Sequence, residues 1–174
     1  MRIAISGTHG SGKSTLVEDF LAAHPEYLHE PEPYVWLDAH AEPSGDEFFH
    51  QLEVSVERLR VHRSGARVIA ERAPLDFVAY LLALRELRRG ADLVESAVEL
   101  ARAGMAHLDL IAVLPLEPAV GEVAEEEDPE LRETMNDCLL DLVATDRFDL
   151  LDGVRVVEIE GTRRGRLAAL EGAL

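Results

Sequence analysis

Short apolar runs alternate with longer stretches of helical period along the whole chain. Residues 2–6 read Arg2-Ile3-Ala4-Ile5-Ser6, a short run with the character of a buried strand, and Ser14 to Ala23 follows with helical character. His24-Pro25 ends that helix, because proline lacks the donor and restricts the residue before it. Tyr27-Leu28-His29-Glu30 predicts a second strand, and the proline-rich segment 31–45 a loop. Phe48 or Phe49, Leu52, Val56 and Leu59 recur at helical spacing, predicting a helix over about 46–62 that Ser64-Gly65 breaks. Arg67-Val68-Ile69-Ala70-Glu71 predicts a third strand. Pro74 opens a helix over about 75–88 that is apolar on most sides.

Gly90 ends that helix. Val94, Ala97, Val98, Ala101 and Met105 line the next one, predicted over 92–105. Leu110-Ile111-Ala112-Val113-Leu114 predicts a fourth strand with both faces apolar. Residues 115–128 read as a loop or lid, and Pro129 starts a helix lined by Leu131, Met135, Cys138, Leu139, Leu142 and Val143. A fifth strand over 154–159 and a last helix over 163–170 complete the pattern. Strands that alternate with helices, and that are apolar on both faces, predict a parallel sheet covered on both sides. The expected architecture is a three-layer α/β/α sandwich with five parallel strands, in one domain spanning residues 1–174. Ligands of such sheets lie beyond the carboxyl ends of the strands. The residues to inspect are those between 7 and 14, Glu30, Glu71-Arg72, Pro115 and Gly161.

Composition narrows the function. The 174 residues carry a formal charge of −17, which argues against non-specific binding to nucleic acid. Cys138 is the only cysteine, so neither an internal disulfide nor a zinc cluster is available, and its place on an apolar helix side makes it a small core residue. No secretory segment precedes residue 7, and the apolar runs near Phe77 and Leu110 are too short or interrupted to cross a bilayer. A cytoplasmic protein is the expectation, with no nucleic-acid or membrane partner.

The chemistry centres on Gly7-Thr8-His9-Gly10-Ser11-Gly12-Lys13-Ser14, a full match to the phosphate-binding P-loop pattern between a strand and a helix. Glycines let several backbone N–H groups converge on one anion, and the following helix adds its positive end. Lys13 is placed to reach the β- and γ-phosphates, and the Ser14 hydroxyl to reach Mg²⁺. His9 occupies a variable, solvent-facing position in the loop, and Thr15 continues into the helix. Glu71 ends an apolar strand, where a carboxylate either holds Mg²⁺ or acts as a base, and the adjacent Arg72 can offset charge on a phosphoryl group. Glu30 ends the second strand and suits proton removal from an acceptor hydroxyl. Trp36 either stacks on a flat ligand or tucks its loop onto the domain. His50 and Glu53 share one helix face, directed into a pocket or to solvent.

With these motifs in this order, the chain resembles the P-loop nucleoside and nucleotide kinases, most of all the deoxynucleoside kinase type. The segment 69–77 is also similar to small AAA-type ATP-binding proteins with nicotinamide-ribonucleotide-kinase-like domains. The resemblance implies a P-loop NTPase fold and an ATP- and Mg²⁺-dependent transfer of the γ-phosphoryl group to a small hydroxylated acceptor. A nucleoside or nucleoside-like acceptor fits first, and a nucleotide or another metabolite second. It implies Glu30-Pro31 as the base-bearing pair, with Glu32 as the alternative base. It implies Glu71-Arg72 as the pair ending the third strand, and base contacts from His50 or Gln51. Two features depart from the family: Ala73 stands where its Glu-Arg pair is followed by Ser, and the lid expected over 115–130 contains neither Arg nor Lys. Arg132 is the first cation after it and is a candidate phosphate or substrate contact. The arginine-free lid keeps a second reading open, an accessory ATPase or nucleotide-binding switch acting through a protein partner. Association of two copies of the chain is a further expectation.

Overall fold

The computed structural model describes residues 1–36, 44–90, 92–117 and 128–174. Within them the strands are β1 (Arg2–Ser6), β2 (Leu28–Glu30), β3 (Val68–Glu71), β4 (Leu110–Val113) and β5 (Arg155–Glu158). The helices are α1 (Lys13–Ala23), α2 (Gly45–Arg60), α3 (Pro74–Glu86), α4 (Val94–Met105), α5 (Pro129–Thr145) and α6 (Arg163–Gly172), with a single 3₁₀ turn at Pro33–Trp36. Each predicted element is present, with ends displaced by at most two residues among strands and helices. The exception is the 3₁₀ turn inside the expected loop, where Val35 N–H donates to the Glu32 carbonyl (3.1 Å). The expected lid falls mainly on residues 118–127, outside the described residues.

All strand pairs are parallel, and the order across the sheet is β2-β3-β1-β4-β5. Alternation along the central strands sorts the core into two layers. Ile3 and Ile5 of β1, Ile69 of β3 and Leu110 and Ala112 of β4 pack under α1 and α6, against Leu16, Val17, Phe20 and Leu170. Ala4, Ala70, Ile111 and Val113 face the other way, toward α2, α3, α4 and α5. The two-residue period of a strand thus divides one apolar run between two helix layers. Helix α3 lies in the middle of the thicker layer, and every residue from Pro74 to Leu84 is buried, which explains why its sequence has no polar face.

Local signals set the helix ends. Ser44 caps α2 by accepting from Glu47 N–H, Asp128 caps α5 by accepting from Leu131 N–H, and Thr162 caps α6 by accepting from Gly165 N–H. Pro74 and Pro129 occupy first helical positions, where a missing N–H costs nothing.

Candidate phosphate-binding site

The loop between β1 and α1 lies at the carboxyl edge of the sheet. Gly10 and Gly12 have left-handed backbones, φ 67° and 92°, a conformation that only glycine adopts freely. A Cβ at Gly10 would also lie 2.9 Å from an Arg132 guanidinium nitrogen. The result is a closed turn in front of the α1 N-terminus, where unpaired N–H groups and the helix dipole attract anions. The loop is braced from outside. Arg132 Nε donates to the His9 carbonyl (2.8 Å), and Thr8 Oγ1 donates to the Arg132 carbonyl (3.1 Å). Arg166 is buried and donates to the carbonyls of Ser11 (2.7 Å) and Gly161 (2.9 Å) and to Glu117 (3.0 Å).

Lys13 is buried in the loop, where its Nζ donates to the Thr8 carbonyl (2.9 Å) and lies 3.6 Å from Glu32. Burial, and then the Arg72 charge, lower its pKa from 10.5 to about 8, against the opposing pull of Glu32, Asp76 and Glu71. Ser14 Oγ, at the start of α1, donates to Glu71 Oε2 (2.7 Å), and His29 Nε2 lies 2.9 Å from Glu71 Oε1. The three meet because β3 alternation turns Ile69 and Glu71 to the α1 side of the sheet. A hydroxyl and a carboxylate side by side at a helix N-terminus form a hard-oxygen pair suited to Mg²⁺.

The other carboxylates divide between two environments. Glu32 is buried beside Arg72, whose Nε donates to it (3.1 Å). Burial raises the Glu32 pKa, but the cations of Arg72 and then Lys13 outweigh that effect and hold it below the ordinary carboxylate value. Glu30 is turned to the opposite side of the sheet. It is buried and takes two bonds from Arg58 of α2 (2.9 and 3.1 Å), and His62 Nε2 lies 2.7 Å from it. Glu32, and not Glu30, is therefore the carboxylate brought to Lys13 and Arg72.

Arg72 is buried with a positive φ of 75°, uncommon for a residue with a Cβ. Its guanidinium also donates to the Gly7 carbonyl (3.2 Å) and lies over the Tyr80 ring (5.3 Å). Burial disfavours the charged guanidinium, but Tyr80, Glu32 and Asp76 more than compensate and its pKa is raised. Asp76 supports the arrangement from below. Its carboxylate accepts from Ser6 Oγ, from Gly7 N–H (3.2 Å) and from Ala73 N–H (2.8 Å), tying the loop entry to the start of α3. Full burial raises the Asp76 pKa, with Arg72 and the Ser6 bond acting against it.

The remaining candidates are more scattered. Thr15 is half-buried in α1 and His9 is exposed. His50 is exposed and lies 3.2 Å from Glu53, and Gln51 donates to Glu47 (3.2 Å). Trp36 is 52% exposed, with the Arg58 guanidinium over its ring (4.7 Å). A groove lies between this tryptophan and the Glu71-Arg72 corner, with Ser55 and Arg58 of α2 in its wall. Sequence reasoning missed Arg58, Asp76 and Arg166. Only Asp76 carried a signal, an acid in the first turn of a proline-opened helix.

The arrangement can grip an anion chain in the loop, hold a divalent cation at Ser14 and Glu71, and present a carboxylate beside two cations to a neighbouring groove. Among the described residues, Ser11 Oγ is the buried side-chain polar atom without a hydrogen-bond partner. A donor left unpaired inside the loop fits a phosphate oxygen.

Fold and loop together define a P-loop protein of the nucleoside and nucleotide kinase fold. The model of the AAA domain family matches residues 2–162, and the chain belongs to that family. In structure it is similar to deoxyadenosine kinase from M. mycoides with bound dATP (TM-score 0.68, 14% identity, 99% of this chain and 98% of that one). It is similar to thymidylate kinase from Candida albicans (TM-score 0.66, 17% identity, 98% and 89%). It is also similar to the NadR protein in complex with NR (TM-score 0.67, 18% identity), covering 98% of this chain and 50% of that one. No curated protein matches the sequence. Among the described residues, no helix is long and apolar enough to cross a membrane.

Proposed function

We propose that the chain is a phosphotransferase that moves the γ-phosphoryl group of ATP to a hydroxyl of a nucleoside or nucleoside-like acceptor. The observation that carries this reading is the meeting of Glu32, Lys13 and Arg72 at the mouth of the phosphate loop, next to a groove. A carboxylate there can take a proton from an attacking hydroxyl, and the neighbouring groove gives that hydroxyl a way in beside the loop.

The loop N–H groups and Lys13 hold the triphosphate, and Ser14 and Glu71 are the residues that would hold Mg²⁺, whose chemistry is to neutralise charge on the β- and γ-phosphates. The new bond forms between the acceptor oxygen and the γ-phosphorus. The bond to the β,γ-bridging oxygen breaks, and its electron pair leaves on ADP. The acceptor proton goes to Glu32. Lys13 and Arg72 make Glu32 a weak base. Phosphates that draw both cations toward themselves weaken that hold and raise its basicity when the acceptor is present. Arg72 then faces the charge spread over the transferring group.

Acceptor-dependent ADP release tests the reading. Glu32→Gln should lower transfer about 10²–10⁴-fold, the worth of a positioned base, while Mg·ATP still binds. Glu30→Gln should act mainly on stability, because its partners are Arg58 and His62. Steady hydrolysis that no small hydroxylated compound stimulates, and that Glu32→Gln leaves unchanged, would sink the transfer assignment in favour of an ATPase or switch.

A further inference from the structure

Arg166 joins three loops at the carboxyl edge of the sheet. It lies near the start of α6 and is 5% exposed. Its Nη1 donates to the Ser11 carbonyl in the phosphate loop (2.7 Å). Its Nη2 donates to Glu117 beyond β4 (3.0 Å), and its Nε to the Gly161 carbonyl beyond β5 (2.9 Å). Glu117 Oε1 also accepts from Gly161 N–H (2.8 Å), so the two outer loops close on each other around the guanidinium. A planar fork held at three points has one orientation. Every nitrogen is engaged and Glu117 balances the charge. The effect of Arg166 on a bound anion therefore passes through Ser11.

The Ser11–Gly12 peptide is trans, as are all peptide bonds among the described residues. A trans peptide sets its C=O and N–H in opposite directions. Arg166 draws the Ser11 carbonyl toward α6, which lies outside the loop. The Gly12 N–H is therefore turned away from α6, toward the hollow that the loop encloses. Among the described residues, no protein acceptor takes that N–H. Ser11 Oγ is likewise buried without a partner. Two unpaired donors thus flank the one peptide that Arg166 holds, and a buried donor left unpaired is costly unless a ligand meets it.

Resting on the reading of the loop as the site for the phosphates of ATP, we propose that Arg166 is a positioning residue for phosphate binding. It fixes the Ser11–Gly12 peptide so that the Gly12 N–H and Ser11 Oγ are already aimed when the phosphate arrives. Glu117 and Gly161 hold Arg166 in place for that task. Donors fixed in advance lose little freedom on binding, so more of each hydrogen bond appears as affinity.

The test measures the affinity of inorganic tripolyphosphate, which offers the loop phosphates and nothing else, by calorimetric titration below the melting temperature of each variant. Arg166→Lys keeps a charge beside Glu117 but replaces the fork by one ammonium, which Glu117 draws away from Ser11. Arg166→Met removes every donor and keeps the apolar stem. Both should weaken tripolyphosphate about 10- to 100-fold, the worth of one hydrogen bond to a charged donor, and Mg·ATP by the same factor. A purely structural arginine would lower the melting temperature and leave these dissociation constants at the wild-type value, which overturns the proposal. So does wild-type affinity in Arg166→Lys with a loss only in Arg166→Met, since charge alone would then suffice. Glu117→Gln and Glu117→Ala remove the same charge, but only the glutamine keeps an acceptor for Arg166 and Gly161. Glu117→Ala should bind tripolyphosphate more weakly than Glu117→Gln, and equal affinities overturn the proposal even where the Arg166 variants fail to fold. In the wild-type protein, saturating tripolyphosphate should shift the amide resonance of Gly12; an unmoved resonance overturns the proposal without recourse to a variant. Absence of binding of both tripolyphosphate and Mg·ATP to the wild type would instead overturn the phosphate reading of the loop, whereas binding indifferent to Arg166 and Glu117 removes only the role of Arg166.

Discussion

Replacing Lys13 by Met should stabilise the nucleotide-free protein while abolishing its grip on phosphate. The Lys13 ammonium is buried with one carbonyl and one carboxylate near it, and its pKa falls from 10.5 to about 8. At about 1.4 kcal/mol per pH unit, the folded state bears about 3 kcal/mol of penalty for the charged form at neutral pH. Methionine has similar length and no charge to desolvate, and Glu32 keeps Arg72 as its partner. A gain of about 1–3 kcal/mol corresponds to about 2–12 °C in Tm for a chain of this size. The sign can be checked against pH. The folded pKa lies below the unfolded one, so the penalty is complete below about pH 8 and is relieved as pH rises from 8 toward 10.5. The Tm difference between Lys13→Met and wild type should therefore be largest at pH 7 and shrink across that interval. Differential scanning calorimetry at several pH values measures it. In the same instrument, a non-hydrolysable Mg·ATP analogue at 100 times its wild-type Kd should stabilise the wild type by about 2.7 kcal/mol and the variant by far less. A variant that melts at or below the wild type in nucleotide-free buffer, or a gap that ignores pH, would refute the reasoning.

Three further outcomes follow from the geometry. Glu71→Gln should raise the Mg²⁺ concentration that gives half-maximal rate, because Ser14 Oγ then faces a neutral amide; an unchanged Mg²⁺ titration would leave Glu71 a purely structural strand end. Arg132→Ala should weaken ATP binding by loosening the loop at the His9 carbonyl, a bond to a charged donor worth about 1.5–3 kcal/mol; calorimetric titration with the wild-type affinity would exclude that brace. Gly104→Ala should destabilise despite alanine's better helix propensity of about 1 kcal/mol, since the added Cβ would lie 2.6 Å from Val56 and 2.8 Å from the Pro74 ring. Both neighbours are stiff and overpacking costs about 1–3 kcal/mol, so a raised midpoint in urea would contradict the packing.

Much of this protein was legible from local pattern alone. Apolar runs of four or five residues between helical periods gave the strands, because a strand buried on both faces has few polar positions. Pro74 and Pro129 marked helix starts, and the glycines at 7, 10 and 12 marked the anion loop, because these constraints act within a few residues of backbone. Ser14 and Glu71 were each singled out in the sequence, Glu71 as either a Mg²⁺ ligand or a base, while the hydrogen bond between them comes from the sheet's alternation.

Tertiary structure decided which carboxylate serves which partner. Glu30 and Glu32 are two residues apart and equally acidic in sequence. Register pairs Glu30 with Ala70 of β3, and both face the α2 side of the sheet, so Glu30 is captured by Arg58 and His62. Glu71 lies one position further along β3 and faces α1, where Ser14 and His29 meet it. Glu32 escapes this alternation because the chain leaves the strand at Pro31 and turns into the 3₁₀ segment, which carries its carboxylate to Lys13 and Arg72. The face of an edge strand depends on its register with a strand some forty residues away, and the exit of a turn depends on what packs beneath it. Neither quantity is written in the residues nearby, and so the sequence by itself determined the elements and the loop, while packing across the sheet decided the site around them.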